Sequence, residues 1–304
     1  MKNHDFTYSP CMVCDNIGLV FVSDLRDDNS RCAACCKSCG HVQLTPLPTI
    51  LEDEEYYQSN MMSRALIQKS GMSEKQWMSE LEKASSLQVK IVMENTKKSS
   101  SILEIGSGFG WVVKKLRENG FNAEGIELCD MRCTMAQEHL GVELYNFNVL
   151  NTDPPESLMG RFDTVLMFEV FEHIVNPIEL IKRAAAFLKK NSTLIIEVPN
   201  YNYFLARHST GYNKHRINRA HVSYFTPDTL VSVLNIAGVR DVNVYGSQKY
   251  SIENAIHWMR NNEPFLDYPQ LDMPEGLEFA NELFKEKVEK ELTSDMLIAI
   301  GVMN

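Results

Sequence analysis

The sequence predicts an α/β chain: a doubly wound, seven-stranded, mostly parallel sheet with a small zinc ribbon at its N-terminus. Three observations carry that prediction. Ile102-Leu103-Glu104-Ile105 is a short apolar run that passes through Gly106-Ser107-Gly108-Phe109-Gly110 into the helical pattern Trp111-Val112-Val113-Lys114-Lys115-Leu116. Such a run reads as a buried parallel strand, a tight turn and a helix start. From residue 101 onward strand-like and helix-like segments alternate, as in a sheet with helices on both faces. Near the N-terminus, Cys11-x-x-Cys14 and Cys36-x-x-Cys39 stand about twenty residues apart, a spacing that places four thiolates around one zinc ion.

Composition bounds the partners. The 304 residues leave room for one large domain and a small module. A net charge of −10 argues against a nucleic-acid partner, because phosphate binding needs a basic face. No uninterrupted apolar run approaches the roughly 20 residues that cross a bilayer, and Met1-Lys2-Asn3-His4-Asp5 lacks the apolar core of a signal peptide. The expectation is a cytoplasmic chain without membrane contact. Six of the 8 cysteines fall within the first forty residues, and in a reducing compartment such a cluster points to metal rather than disulfides.

Taken in order, residues 1–45 form the ribbon. Cys32 and Cys35 are a second downstream pair in nearly the same register, but Gly40 and the strand Val42-Gln43-Leu44 favour Cys36 and Cys39. Four cysteines leave no open coordination position, so the zinc is expected to be structural. Residues 46–98 are a linker and helical lead-in: Pro46, Pro48 and an acidic run precede Tyr56-Tyr57, and Trp77, Leu81, Ala84, Leu87 and Ile91 have helical spacing from Ser73 to Asn95. Residues 99–304 hold the sheet. Its strands are expected at Ser101–Ile105, Ala123–Glu127, Val142–Phe147, Phe162–Phe168, Thr193–Val198, Val242–Tyr245 and Met296–Val302. A helix follows the second strand from about Met131 to His139, and another spans Pro227–Ala237 with Thr226 as N-cap and Gly238 as its end. Between the last two strands, residues 251–293 carry a helix through Ile252, Ile256, Trp258 and Met259, a loop from Pro264 to Pro274, and a helix from Glu275 to Leu292. That insertion is longer than a hairpin needs, which suits a cover over the acceptor or a homodimer contact.

The glycine spacing separates two ligands. Dinucleotide folds use G-x-G-x-x-G, whose third glycine would fall at Trp111. Here the pattern is G-x-G-x-G, with Glu104 before it and Glu127 after the second strand, where an acid accepts hydrogen bonds from both ribose hydroxyls of a nucleoside. This resembles motif I and the following acidic position of class I S-adenosylmethionine-dependent methyltransferases, which are Rossmann-like. The resemblance implies that Glu104, Gly106, Ser107, Gly108, Gly110, Glu127 and Leu128 bind the cofactor, with Asn148 and Val149 beside the adenine, where the family pattern usually has an acid. It also brings in Phe168 and Glu169 at the end of the fourth strand, which Phe162-Asp163 opens as in the family's fourth motif. Glu172-His173-Ile174-Val175-Asn176-Pro177 looks like the E-H-x-x-x-P element of the ubiquinone-biosynthesis-type and sugar-modifying subfamilies, and His221-Val222-Ser223-Tyr224-Phe225-Thr226 like their H-x-x-x-F-[ST] element.

Methyl transfer from a sulfonium is an in-line displacement, so a hydroxyl or carbon acceptor also needs help with its proton, for which His221 and His173 are the candidates. The loop from Tyr201 to Arg219 is basic and aromatic and suits an anionic acceptor such as a nucleotide sugar or glycan, which makes Tyr201, Arg207 and Arg216, with Tyr224 just beyond, the acceptor-binding candidates. A zinc ribbon joined to such a domain resembles deoxysugar C-methyltransferases and other bacterial enzymes of sugar and polysaccharide pathways. In those enzymes a Glu-His pair occupies this region, whereas here Ala220 precedes His221 and the glutamate is missing. The resemblance therefore implies S-adenosylmethionine as donor, S-adenosylhomocysteine as product, Zn2+ in the ribbon and a small sugar-linked acceptor. The alternative is a cofactor-binding interaction protein whose ribbon docks into a biosynthetic complex.

Overall fold

Antiparallel strands β1 (Leu19–Asp24), β2 (Cys32–Cys36) and β3 (Val42–Thr45) open the chain, their apolar residues Ala33, Val42 and Leu44 turned to a small core with Leu25 and Ile217. The computed structural model describes residues 9–58, 74–264, 276 and 278–303. Helix α1 (Ile50–Gln58) follows the ribbon, and α2 (Glu74–Asn95) lays Val89 and Val92 on the main domain. The side chain of Trp77, Glu275 and the loop beyond Pro264 up to Pro274 lie outside the described residues.

The main sheet begins at β4 (Ser101–Ile105), followed by α3 (Trp111–Glu118), β5 (Asn122–Glu127), α4 (Asp130–Met135) and β6 (Tyr145–Asn146). Next come β7 (Phe162–Phe168), α5 (Pro177–Ala185) and β8 (Leu188–Pro199). Past two short helices, α6 (Leu205–His208) and α7 (Thr210–Arg216), lie β9 (Ser223–Tyr224), α8 (Pro227–Ile236) and β10 (Arg240–Ser247). Helices α9 (Ile252–Asn261) and α10 (Glu278–Lys290) lead to the last strand, β11 (Met296–Met303). The seven strands stand in the order β10-β11-β8-β7-β4-β5-β6, with β11 antiparallel to both of its neighbours and the other pairs parallel. The predicted seven-stranded, mostly parallel sheet is therefore present.

Helices cover both faces because each offers one apolar stripe. Val112, Val113 and Leu116 of α3 pack on one face; Leu180, Ile181 and Ala184 of α5 and Leu230, Val233 and Leu234 of α8 pack on the other. Strand order reverses at β4 and β7, so the loops leaving their carboxyl ends frame a crevice. Since β11 is antiparallel, its N-terminal end, where Met296 pairs Pro199, faces the same crevice.

Three expectations are corrected. The third strand, expected over Val142–Phe147, is only two residues long because it pairs on one side alone, and Val142 and Leu144 turn into the helix-side core instead. The helix expected from Met131 to His139 is α-helical only to Met135, then widens into a π-turn over Ala136–Leu140 that Gly141 ends at φ 66°. The loop expected between Tyr201 and Arg219 holds α6 and α7, the second capped by the Ser209 hydroxyl, which accepts from the Tyr212 N–H. The ribbon and the main domain are also joined: β9 extends the ribbon sheet through Val42 opposite Tyr224 and Gln43 opposite Ser223.

Candidate active site

The turn after β4 is held by its own backbone. The Gly106 and Ser107 N–H groups both donate to the Ile126 carbonyl, at 2.8 and 3.0 Å, and fold the chain back over β5. Gly106 at φ 76° leaves no room for a side chain, since a Cβ there would stand 2.3 Å from Val170 Cγ2. The Gly108 N–H donates to Glu127 Oε2 at 2.8 Å and the Cys129 N–H to Oε1 at 2.9 Å, which fixes the carboxylate at the tip of the glycine turn. Glu104 lies beneath the turn, 3% exposed, with Oε2 buried and without a hydrogen-bond partner. Burial, reinforced by the nearby Glu127 charge, pushes its pKa up to about 8.

A cavity of about 360 Å³ opens beside this turn, lined by Glu104, Gly106, Ser107, Gly108, Phe168 and Glu169 of the predicted set. Leu81 and Gln88 of α2, Phe109, Trp111, Arg132 and the Lys249-Tyr250 pair are also in its wall. Lys249 bonds Glu169 and stands 3.5 Å from Glu197, whose Oε2 also accepts from Gln88 Nε2 at 2.6 Å. Burial works against the lysine's charge, but the two carboxylates outweigh it and keep Lys249 protonated above its ordinary range. Sequence reasoning missed Lys249, Gln88 and Glu197. Lys249 follows the carboxyl end of β10, and the rule that ligands lie at that end of the sheet was the available signal.

The adenine-side residues sit on the other flank of the turn. Gly110 caps α3 at φ 79°, Val149 is buried, and Leu128 passes its carbonyl to Asn146 Nδ2 at 3.1 Å. Asn148 has both ends of its amide in use: Nδ2 donates to Glu54 at 2.6 Å and Oδ1 accepts from the Leu150 N–H at 2.9 Å.

Beyond β7 the chain makes a short turn, Phe171–His173, and meets the segment before β9. The Val222 N–H donates to the Glu172 carbonyl at 2.8 Å, which sets His221 against His173 with ring centroids 5.1 Å apart. The Ala220 carbonyl lies 2.7 Å from His173 Nδ1 and accepts from the Tyr57 hydroxyl at 2.8 Å. A carbonyl only accepts, so the His173 proton sits on Nδ1 and Nε2 keeps its lone pair. Burial, with His173 and Arg26 adding, pushes His221 down to about 3. Tyr57 therefore reaches the histidines, and Tyr56 stacks under the Arg219 guanidinium at 4.9 Å.

Tyr201, Arg216 and Tyr224 come together against the ribbon: the Arg216 guanidinium lies 4.1 Å over the Tyr201 ring and bonds the Tyr201 carbonyl. Arg216 Nε is buried without a partner, and the Tyr224 hydroxyl is taken up by the backbone of Asn218. Arg207 stands apart, exposed on α6. In the ribbon, sulfurs of Cys11, Cys14, Cys36 and Cys39 all lie within 4.8 Å of one another, with Cys11–Cys39 at 3.5 Å and Cys14–Cys36 at 3.6 Å. Four thiolates about 2.3 Å from a tetrahedral zinc would stand roughly 3.8 Å apart, so this donor set fits the ion. Cys32 is instead buried in β2 and Cys35 lies on Gly40, outside the cluster.

Known proteins agree with the geometry. The family described as a methyltransferase domain matches residues 74–244, more than half of the chain. The ubiquinone biosynthesis O-methyltransferase of Bradyrhizobium diazoefficiens is 32% identical over 107 residues, which are 34% of this chain and 41% of that protein. This match therefore spans less than half of that relative's length. The Coxiella burnetii (strain RSA 493) protein of the same name is 21% identical over 184 residues, 56% of this chain and 76% of its own. Among solved structures, a SAM-dependent methyltransferase from Archaeoglobus fulgidus aligns with TM-score 0.51 and 17% identity over 79% of this chain and 99% of that one. A complex between the Haloferax volcanii Trm112 methyltransferase activator and a methyltransferase aligns with TM-score 0.53 and 15% identity over 81% and 97%. At those identities the structural likeness establishes the fold. With the glycine turn, its two carboxylates and the seven-stranded sheet, the chain belongs to the methyltransferase domain family and has the class I S-adenosylmethionine-dependent fold.

Proposed function

We propose that this chain transfers a methyl group from S-adenosylmethionine to a hydroxyl, or a carbon, of a small anionic carbohydrate-like acceptor such as a nucleotide sugar or glycan. One observation carries the reading: the glycine turn with Glu104 and Glu127 opens at the same end of the sheet as His173 and His221. Glu127, held in place by the Gly108 N–H, takes the ribose hydroxyls, Glu104 faces the cationic end of the cofactor, and Lys249 takes its carboxylate. The two neutral histidines accept from the acceptor's hydroxyl and orient it toward the methyl carbon, at the separation of about 3 to 3.5 Å that in-line transfer needs. Arg216 and Tyr201 supply the anion contact, and zinc held by the four ribbon cysteines fixes the segment that carries them.

A second acceptor reading, a phenolic hydroxyl, is favoured by the relatives named for ubiquinone biosynthesis and by Ala220 standing where a sugar C-methylating enzyme has its glutamate. Incubating the full chain with S-adenosylmethionine and separate pools of nucleotide sugars, glycans and dihydroxyphenols, and measuring S-adenosylhomocysteine, tests both. Product in a sugar pool supports the first reading and product with phenols the second. Cofactor binding without turnover in every pool would make the chain an interaction protein. In the sugar case Arg216→Ala raises the acceptor KM by about tenfold or more, the size of a lost charge-assisted hydrogen bond, and leaves cofactor affinity unchanged. Equal changes in both would remove the anion contact.

A further inference from the structure

We infer that Asp295 is a positioning residue: its carboxylate clamps the turn after β10, sets where the Lys249 ammonium stands, and so decides whether the cavity can read a cofactor carboxylate, a role that rests on Lys249 meeting that group as proposed above. β10 ends at Ser247, and beyond it the backbone N–H groups leave the strand ladder and need other acceptors. Asp295 supplies them. The Lys249 N–H donates to its Oδ1 at 2.9 Å and the Tyr250 N–H to its Oδ2 at 3.2 Å. The Asp295 N–H in turn donates to Gln248 Oε1 at 3.0 Å, so the clamp closes from both sides. Water has little access to it, since Asp295 is 6% exposed and Gln248 3%.

Asp295 is a fixed point because the main sheet holds it. The Asn200 N–H donates to the Asp295 carbonyl at 2.8 Å, Asn200 Nδ2 donates to the Ser294 carbonyl at 2.9 Å, and Met296, the next residue, pairs with Pro199. Helix α10 presses the turn from its other side: a Cβ on Gly246 would stand 2.6 Å from the Glu289 backbone, and Lys285 Nζ donates to the Lys249 carbonyl at 3.3 Å. A carboxylate has an acceptor oxygen for each of the two N–H groups. An amide has only one, and its NH2 would face the other N–H. Asp295→Asn therefore releases one end of the turn. Charge and position then act with opposite signs. Losing a negative charge beside the cavity strengthens, by Coulomb attraction alone, the binding of a ligand that carries a carboxylate relative to a more cationic one. Letting Lys249 drift does the reverse: S-adenosylmethionine loses its partner, while decarboxylated S-adenosylmethionine has no carboxylate to lose it.

The test is calorimetry on the full chain at pH 8, above the value of about 7 to which burial pushes the Asp295 carboxyl. S-adenosylmethionine and its decarboxylated form are each titrated into the unaltered protein, Asp295→Asn, Lys249→Gln and the double variant. Asp295→Asn is expected to weaken S-adenosylmethionine about fivefold or more and to leave the decarboxylated form within about twofold. Added to Lys249→Gln it should cost less than about twofold more, because it acts through that lysine. Equal loss of both ligands, a gain for S-adenosylmethionine, or a full further loss on top of Lys249→Gln overturns the positioning role. A selective Lys249→Gln beside a silent Asp295→Asn removes this role alone and leaves the cofactor reading standing. Equal loss of both ligands in Lys249→Gln removes the carboxylate contact and the positioning role with it. For a variant that does not fold, amide hydrogen exchange on the unaltered chain decides: Lys249 and Tyr250 amides protected about tenfold or more support the clamp, and exchange at the rate of an open loop overturns it.

Discussion

Glu104 is buried beside Glu127 with one oxygen unpartnered, and its pKa of about 8 keeps it protonated in the free protein at neutral pH. A cationic cofactor end against it lowers that value in the complex, so binding expels a proton. Affinity for S-adenosylmethionine is then expected to rise with pH up to about 8, by at most about tenfold per pH unit, and to level off above it. Calorimetry in buffers of different ionisation enthalpy should register the released proton, and Glu104→Gln should abolish it. Lys249 makes a second residue-scale prediction. Held between Glu169 and Glu197, it is a fixed cation in the cavity wall, and a charge-assisted bond to the cofactor carboxylate is worth about 1.5 to 3 kcal/mol. Lys249→Gln should weaken S-adenosylmethionine about 10- to 150-fold and decarboxylated S-adenosylmethionine far less. Equal losses would mean the lysine only holds the loop.

At the scale of elements, the ribbon is coupled to the acceptor side of the crevice. Its β3 pairs with β9, His41 contacts the Ser223 hydroxyl at 3.3 Å, and Ile217 and Tyr224 sit in the ribbon's own core. Removing zinc with a chelator, or Cys36→Ser, should disorder residues around 217–225 and abolish turnover, while S-adenosylmethionine affinity stays within about twofold. This contrast follows from the local nature of the opening; parallel loss of both would show the domain cannot stand without the ribbon. Elements differed in how legible they were. β7 could be read residue by residue because Val165–Phe168 is an apolar run buried from both faces behind the Phe162-Asp163 opening, and Thr226 with Pro227 marks the start of α8 by capping chemistry alone. β6 could not, because an edge strand of two residues has too little pattern, and the π-turn at Ala136–Leu140 has no residue signal that sets it apart from the α-helix it ends.

For the molecule as a whole, the architecture is written in local signals, but the site is assembled from residues far apart in the chain. The glycine turn, Glu104 and Glu127 are close in sequence and bear a recognisable spacing. Lys249 meets Glu169 across 80 positions, Gln88 meets Glu197 across 109, and Tyr57 meets Ala220 across 163, contacts that only the strand order creates. No helix among the described residues is long and apolar enough to cross a membrane. The account as a whole stands on the cofactor occupying the cavity beside the glycine turn, with its ribose held by Glu127. Titrating the full chain with S-adenosylmethionine by calorimetry, beside Glu127→Ala, tests this most directly. Saturation at one cofactor per chain, weakened about tenfold or more in the variant, is the expected result; no binding, or equal binding by both proteins, would contradict it.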